Sequence, residues 1–297
     1  MRRLEKLIDE ARLSTNTTDI DSVSVLLCQQ YLNRITSYLE DILFLVNDEN
    51  DLFLKDFEFA LIPGQDEYAL PIDIYAKSSI DNVAVSFLNG LSNTFLPLKK
   101  VSRKQRGFTF GYFVQNTKCV FTPKPTSPLR IKMTYQQKIP NVSARVGKIQ
   151  SFTTTGIVLT DYVTGLSSSD DFICIVDSDG NILNRATDIN GNVQFVPISL
   201  VSDTSGTLVV SSTVGAVNGA YVVSGKYASS HSQLPDECEK YLITALEKMI
   251  QYRQSSNDIN TSSVFSSEEL STIKEVFADN SYDDAKPPVT EWQEWLP

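Results

Sequence analysis

The sequence predicts an α+β fold in which a helical bundle formed by both chain ends carries a central β domain and an inserted all-β domain. Three observations carry this reading. Apolar residues recur at helical spacing near the two ends of the chain. The period falls to two after about residue 50. Between Pro140 and Ser229 the composition shifts towards Ser, Thr, Gly and Val, with repeated turn signals.

The N-terminal part, residues 1–47, reads as two helices. Leu4, Leu7, Ile8 and Ala11 share one face, and Ser14 to Thr18 form a break. From Asp19 to Val46 a stripe of Val23, Leu27, Tyr31, Ile35, Tyr38, Ile42 and Leu45 marks one long helix, with Asp19 or Asp21 near its start.

Residues 48–140 read as the central β domain. Phe57 to Leu61 and Leu129 to Tyr135 alternate apolar and polar residues as half-buried strands do, and "GYFVQNTKCVFT" is a hairpin turning at Asn116. Residues 141–228 read as the insert, where turns at Asp177-Ser178-Asp179-Gly180 and Asn190-Gly191 separate short β-rich runs such as "DFICIV", "TLVVSS" and "AYVVSG".

Helical period returns over 229–280. Pro235 suits a first helical turn, and Cys238, Tyr241, Leu242, Ala245, Leu246 and Met249 share a face. Ser266 with Glu269 is a capping box for a last helix. Residues 281–297 are an extended tail.

Composition removes whole classes of function. The chain has 36 carboxylates against 26 Lys and Arg, a net charge of −10, which argues against wrapping nucleic acid through phosphate neutralisation but suits a surface that DNA slides past. No apolar run approaches the ~20 residues of a membrane helix, and "MRRLEKLIDEAR" has no secretory apolar core. A protein made and folded in a cytoplasm is expected. Cys28, Cys119, Cys174 and Cys238 show no metal spacing and read as buried thiols.

Chemistry is hard to build from these residues. The one histidine, His231, stands in a polar linker with no Ser-His-Asp context. "GLSSSDD" lacks the lysine of a phosphate loop, and "DSDGNILNRATD" places its glycine too early for an EF-hand, so a hairpin turn explains it. No enzyme, cofactor or metal is expected.

Three stretches stand out. "QDEYALPIDIY" runs a strand into Leu70-Pro71, where proline fixes the backbone and offers no N–H, so Tyr68, Leu70, Pro71 and Asp73 form a rigid corner. "KKVSRKQRG" concentrates Lys99, Lys100, Arg103, Lys104 and Arg106 in an acidic chain, as a solvated loop or as a contact with an acidic neighbour or nucleic acid. The tail carries Pro287, Pro288, Trp292 and Trp295, large aromatics on a segment too short to fold alone, which suggests docking into a groove.

The order of these motifs, a helical start, "YALPIDIY", a strand ending in "YQQKIP", then "LPDECEKYLITALEKM" and a helical end, resembles the head-to-tail connector proteins of short-tailed bacteriophages, of the adaptor or tail tubular type. The resemblance covers residues 1–140 and 229–280. It implies a passive structural virion protein, a ring below the portal, commonly of twelve copies, that joins head to tail and continues the DNA channel. Its implied partners are further copies of the chain, the portal protein, other tail or ring proteins and non-specifically passing double-stranded DNA, with no membrane. Its implied place is the virion, after assembly in the host cytoplasm. The rival reading is a surface decoration or glycan-binding protein carried by the β insert; an aromatic platform there would favour it, but Tyr162, Phe172 and Tyr221 are few and spaced like core residues.

Overall fold

In a computed structural model of the chain the described residues are 2–15, 23–46, 53–76, 79–87, 94–105, 110–163, 172–187, 193–255 and 263–278. Arg106 and the whole 281–297 tail, with Pro287, Pro288, Trp292 and Trp295, lie outside them, as do Asp19, Asp21 and the Asn190-Gly191 turn.

Two helices open the chain, α1 (Leu4–Ser14) and α2 (Val25–Val46). A run of strands follows: β1 (Leu54–Leu61), β2 (Glu67–Ala69), β3 (Ile80–Phe87), β4 (Leu96–Pro97), β5 (Gly111–Gln115), β6 (Lys118–Thr122) and β7 (Leu129–Gln136). They form a four-stranded sheet in the order β1-β7-β3-β4 and a three-stranded sheet in the order β2-β6-β5. Strict alternation on β7 turns Leu129, Ile131, Met133 and Tyr135 inwards, where they meet Phe59, Val83 and Val85 of their own sheet and Tyr112, Cys119 and Phe121 of the other. Asn116, at φ 55°, makes the tight turn between β5 and β6.

Two residues, Asn141–Val142 (β8), lead into a closed six-stranded barrel. Its strands are β9 (Arg145–Phe152), β10 (Gly156–Thr160), β11 (Phe172–Val176), β14 (Ile198–Thr204), β15 (Thr207–Val210) and β16 (Tyr221–Ser224), neighbouring in the order β10-β15-β14-β11-β16-β9. Closure leaves no open edge and fills the interior with Val146, Ile149, Ile157, Ile173, Ile175, Ile198, Leu208 and Val222. The small hairpin β12 (Arg185–Thr187) and β13 (Val193–Phe195) covers the outside of β11 and β16, so Cys174, Val176 and Val223 are buried there against Phe195, Ile182 and Ala228. This double burial is why "FICIV" is an unbroken apolar run. The chain returns through β17 (Ala228–Ser229), which pairs in parallel with β8.

After β17 a 3₁₀ turn at Asp236–Cys238 leads into α3 (Glu239–Gln254), and α4 (Ser267–Ala278) follows. The capping box forms: Glu269 N–H donates to Ser266 Oγ at 3.1 Å, and Ser266 N–H donates to Glu269 Oε2 at 2.7 Å. Lys248 Nζ lies 3.0 Å from Glu269 Oε2 and ties α3 to that cap.

The expected helical bundle formed by both chain ends is corrected. The chain is mostly β, organised around a six-stranded barrel, and the described residues contain four helices. The helices do not close a core by themselves. α3 packs on α1 and α2, while α1 touches α2 only slightly, and Ile139, Val142 and Leu234 from the chain entering and leaving the barrel join the same core. The apolar stripes lie on helices, although on α2 the buried line runs through Cys28, Leu32, Ile35, Leu39 and Ile42, with Leu27, Tyr31 and Tyr38 half-buried beside it, and α2 also packs against β8.

Candidate functional site

The corner at residues 68–75 is the point where the parts of the molecule meet. Tyr68 packs its ring on Phe59 and Phe121 at centroid distances of 5.3 and 5.7 Å and accepts a hydrogen bond from Ile62 N–H at 2.6 Å. Burial is the main cause that raises its phenol above the usual pKa. Leu70 donates its N–H to Thr117 O at 3.0 Å and packs, half-buried, on the central core. Pro71 O accepts from Ile74 N at 3.3 Å, so Pro71 opens a tight turn. That turn delivers Asp73 to the interior, 4% exposed.

The Asp73 carboxylate is saturated. Oδ1 accepts from the Tyr135 hydroxyl at 2.8 Å, and Oδ2 accepts from Lys55 Nζ at 2.7 Å and Gln137 Nε2 at 3.0 Å. Its backbone carbonyl accepts from Lys138 N–H at 2.8 Å. Gln137 Nε2 also donates to the Tyr227 hydroxyl at 2.8 Å, on the chain returning from the barrel. Burial, with the Asp73 charge beside them, raises both Tyr135 and Tyr227 well above the ordinary tyrosine range, so each stays a neutral phenol. Tyr75 then hydrogen-bonds Asp41 on α2 and packs edge-on against Phe44, at 4.4 Å between centroids.

One turn therefore ties α2, β1, β7 and the return strand into a single joint. A crevice of about 150 Å³ separates it from the hairpin, with Leu70, Pro71 and Asp73 on one wall and Val193 and Phe195 on the other.

Sequence reasoning missed a second part of this joint. Gln29, Asn33 and Glu40 lie on the α2 face towards the linker and clamp the strand that feeds the barrel. Asn33 Oδ1 accepts from Val142 N–H at 2.7 Å, and Asn33 Nδ2 donates to Val142 O at 3.0 Å. Gln29 Oε1 accepts from Ala144 N–H at 3.3 Å, and Glu40 Oε1 accepts from Ile139 N–H at 2.6 Å. Glu40 is 2% exposed, and burial pushes its pKa up to about 7. The signal available was spacing: positions 29, 33 and 40 fall on one helical face.

His231 is packed inside the fold. It is 6% exposed, shares a 3.0 Å hydrogen bond with Ser230 Oγ through Nδ1, and presses on Gly180, which sits at φ +85°. Burial, and then the charges of Arg145 and Arg3, lower its pKa; Glu5 and Asp179 oppose them. The Asp177 turn is closed from within. Its Oδ1 accepts from Asp179 and Asn181 N–H, each at 2.8 Å, and although burial raises its pKa, these and its other hydrogen bonds outweigh that and lower it. No cluster of metal-ligating side chains occurs among the described residues. The four cysteines are buried free thiols.

Lys99, Lys100, Arg103 and Lys104 are exposed. The stretch is pinned to β5: Tyr112 N–H donates to Lys99 O at 3.0 Å and Val101 N–H to Tyr112 O at 2.8 Å. A Cβ at Gly111 would lie 2.3 Å from Lys99 O, so only glycine allows this approach. The aromatics of the rival reading are engaged within the fold. Tyr162 bonds Asp203, Arg145 stacks 3.8 Å over Tyr221, and Lys226 lies 5.4 Å from the Phe172 ring centroid.

No helix among the described residues is long and apolar enough to cross a membrane. No protein-family model matches the chain, and no curated protein matches it in sequence.

Proposed function

We propose that the chain is a structural, non-enzymatic virion protein that assembles as a ring below the portal, joins head to tail and continues the DNA channel. The observation that carries this reading is the Asp73 joint. A carboxylate is buried, bonded to Lys55 on β1, Tyr135 on β7 and Gln137 just after β7, and linked through Gln137 to Tyr227 on the chain returning from the barrel. Such a joint fixes the angle between barrel and central sheets, so every copy presents the same surfaces to its neighbour, as closed cyclic assembly requires. The net charge of −10 suits a conduit that does not hold DNA.

The test is direct imaging. Purified chain, alone and mixed with the portal of its own virus, is examined by negative-stain microscopy and light scattering. Rings stacked on the portal are expected; monomers under both conditions would overturn the reading.

A further inference from the structure

Beside the pinned basic stretch runs a groove of about 550 Å³. Its floor is apolar, with Val101 and Phe113 each 6% exposed, and Lys100 and Arg103 stand at its rim. These two side chains form no ion pair among the described residues, in a chain that carries ten more acids than bases. Leaving cations beside an apolar trough calls for an occupant that brings both carboxylates and apolar bulk.

One segment of this chain has that composition. Residues 281–297 hold Asp283, Asp284, Glu291 and Glu294 against the single Lys286, together with Trp292 and Trp295. We infer that residues 281–297 of one copy occupy the Lys100–Arg103 groove of a second copy. The indoles cover Val101 and Phe113, and the acids flanking them, Glu291 and Glu294, meet the two cations. The contact is heterologous: each copy offers one tail and one groove, so it propagates in one direction and closes when the rotation allows. The inference rests on the ring reading only for that closure; the pairing of tail with groove stands or falls separately.

Because the chain's two tryptophans are both in this segment, indole fluorescence reports the tail alone. Two full-length variants test the pairing. One has its groove reversed, Lys100→Glu with Arg103→Glu, and keeps its tail. The other keeps its groove and carries Trp292→Ser with Trp295→Ser. Each alone is expected to stay monomeric in sedimentation, while the mixture forms one-to-one pairs with blue-shifted emission. The milder Lys100→Gln with Arg103→Gln should weaken wild-type self-association about tenfold or more, with the effect largest at low salt. A mixture that forms no pairs would overturn the inference. So would emission already blue-shifted in monomeric wild-type chain, which would place the tail on its own copy, or self-association unaffected by the glutamines. Pairs that form in solution while no ring appears on the portal would retain the tail contact and reject the ring.

Discussion

Asn33, in the middle of α2, pairs with Val142 as a neighbouring strand would: its amide accepts from the Val142 N–H at 2.7 Å and donates to the Val142 carbonyl at 3.0 Å. A side chain thus satisfies both backbone groups of a residue that is 1% exposed and has its other side against the helical core. Replacing Asn33 with Ala strands two buried polar groups, each costing about 1–3 kcal/mol. Urea unfolding should show a loss of roughly 2–6 kcal/mol. A loss below about 0.5 kcal/mol would mean that water replaces the amide.

Glu40 makes stability depend on pH. Its pKa is raised from 4.5 to about 7 in the fold, so between those values the native state holds a proton that the unfolded chain has lost. This contribution is present in full below pH 4.5 and is lost as pH rises towards about 7, a change of about 3 kcal/mol. Glu40→Gln keeps the acceptor for Ile139 N–H and removes the titration. Relative to wild type, the variant should therefore gain stability as pH rises through that window. A difference that stays flat with pH would refute the assignment.

At the corner, Asp73→Asn retains an oxygen for Tyr135 but turns an amide NH₂ towards Lys55 Nζ and Gln137 Nε2, both donors. The expected loss is about 3 kcal/mol, because the Lys55 side chain, 24% exposed, then loses its counter-charge. Adding Lys55→Met should recover part of the loss. Chemical denaturation of the four chains in the cycle measures the coupling, and additive effects would show that the ion pair does not hold the joint.

Gly180 offers a backbone test. At φ +85° an alanine is strained, and its Cβ would lie 2.4 Å from His231 Nδ1. Gly180→Ala should cost about 3 kcal/mol or more. In a His231→Gly background the same change should cost only the backbone strain, about 1–2 kcal/mol. Equal costs in both backgrounds would show that the ring yields freely.

What could be read beforehand was what neighbours in sequence decide. The α1 face, the alternation on β7, the Asn116 turn and the Ser266 capping box each depend on residues a few positions apart, and each is present. What escaped depends on distant partners. β9 closes on β16 across some seventy residues of chain, and nothing local marks the pair. Asn33 and Glu40 look like the polar side of an amphipathic helix until Val142 and Ile139 arrive to use them. The bundle expectation failed in the same way: apolar stripes state that a helix is covered, not by what. Asp73 was singled out for the rigidity of Leu70-Pro71, and its burial among Lys55, Tyr135 and Gln137 was invisible in that stretch.

The parallel pairing of β8 with β17 has a mechanical consequence. Asn141 N–H bonds Tyr227 O and Ser143 N–H bonds Ser229 O, at 3.1 and 2.8 Å. The barrel follows β8 in the chain but precedes β17, so its two chain ends leave this parallel pair at opposite ends, and drawing those ends apart slides the strands past each other along their length. The load falls on both rungs together, instead of opening them one after another as a zipper would. Such a pair resists separation of those two ends better than an antiparallel pair of equal length, whose barrel-side ends lie together and peel the rungs in turn.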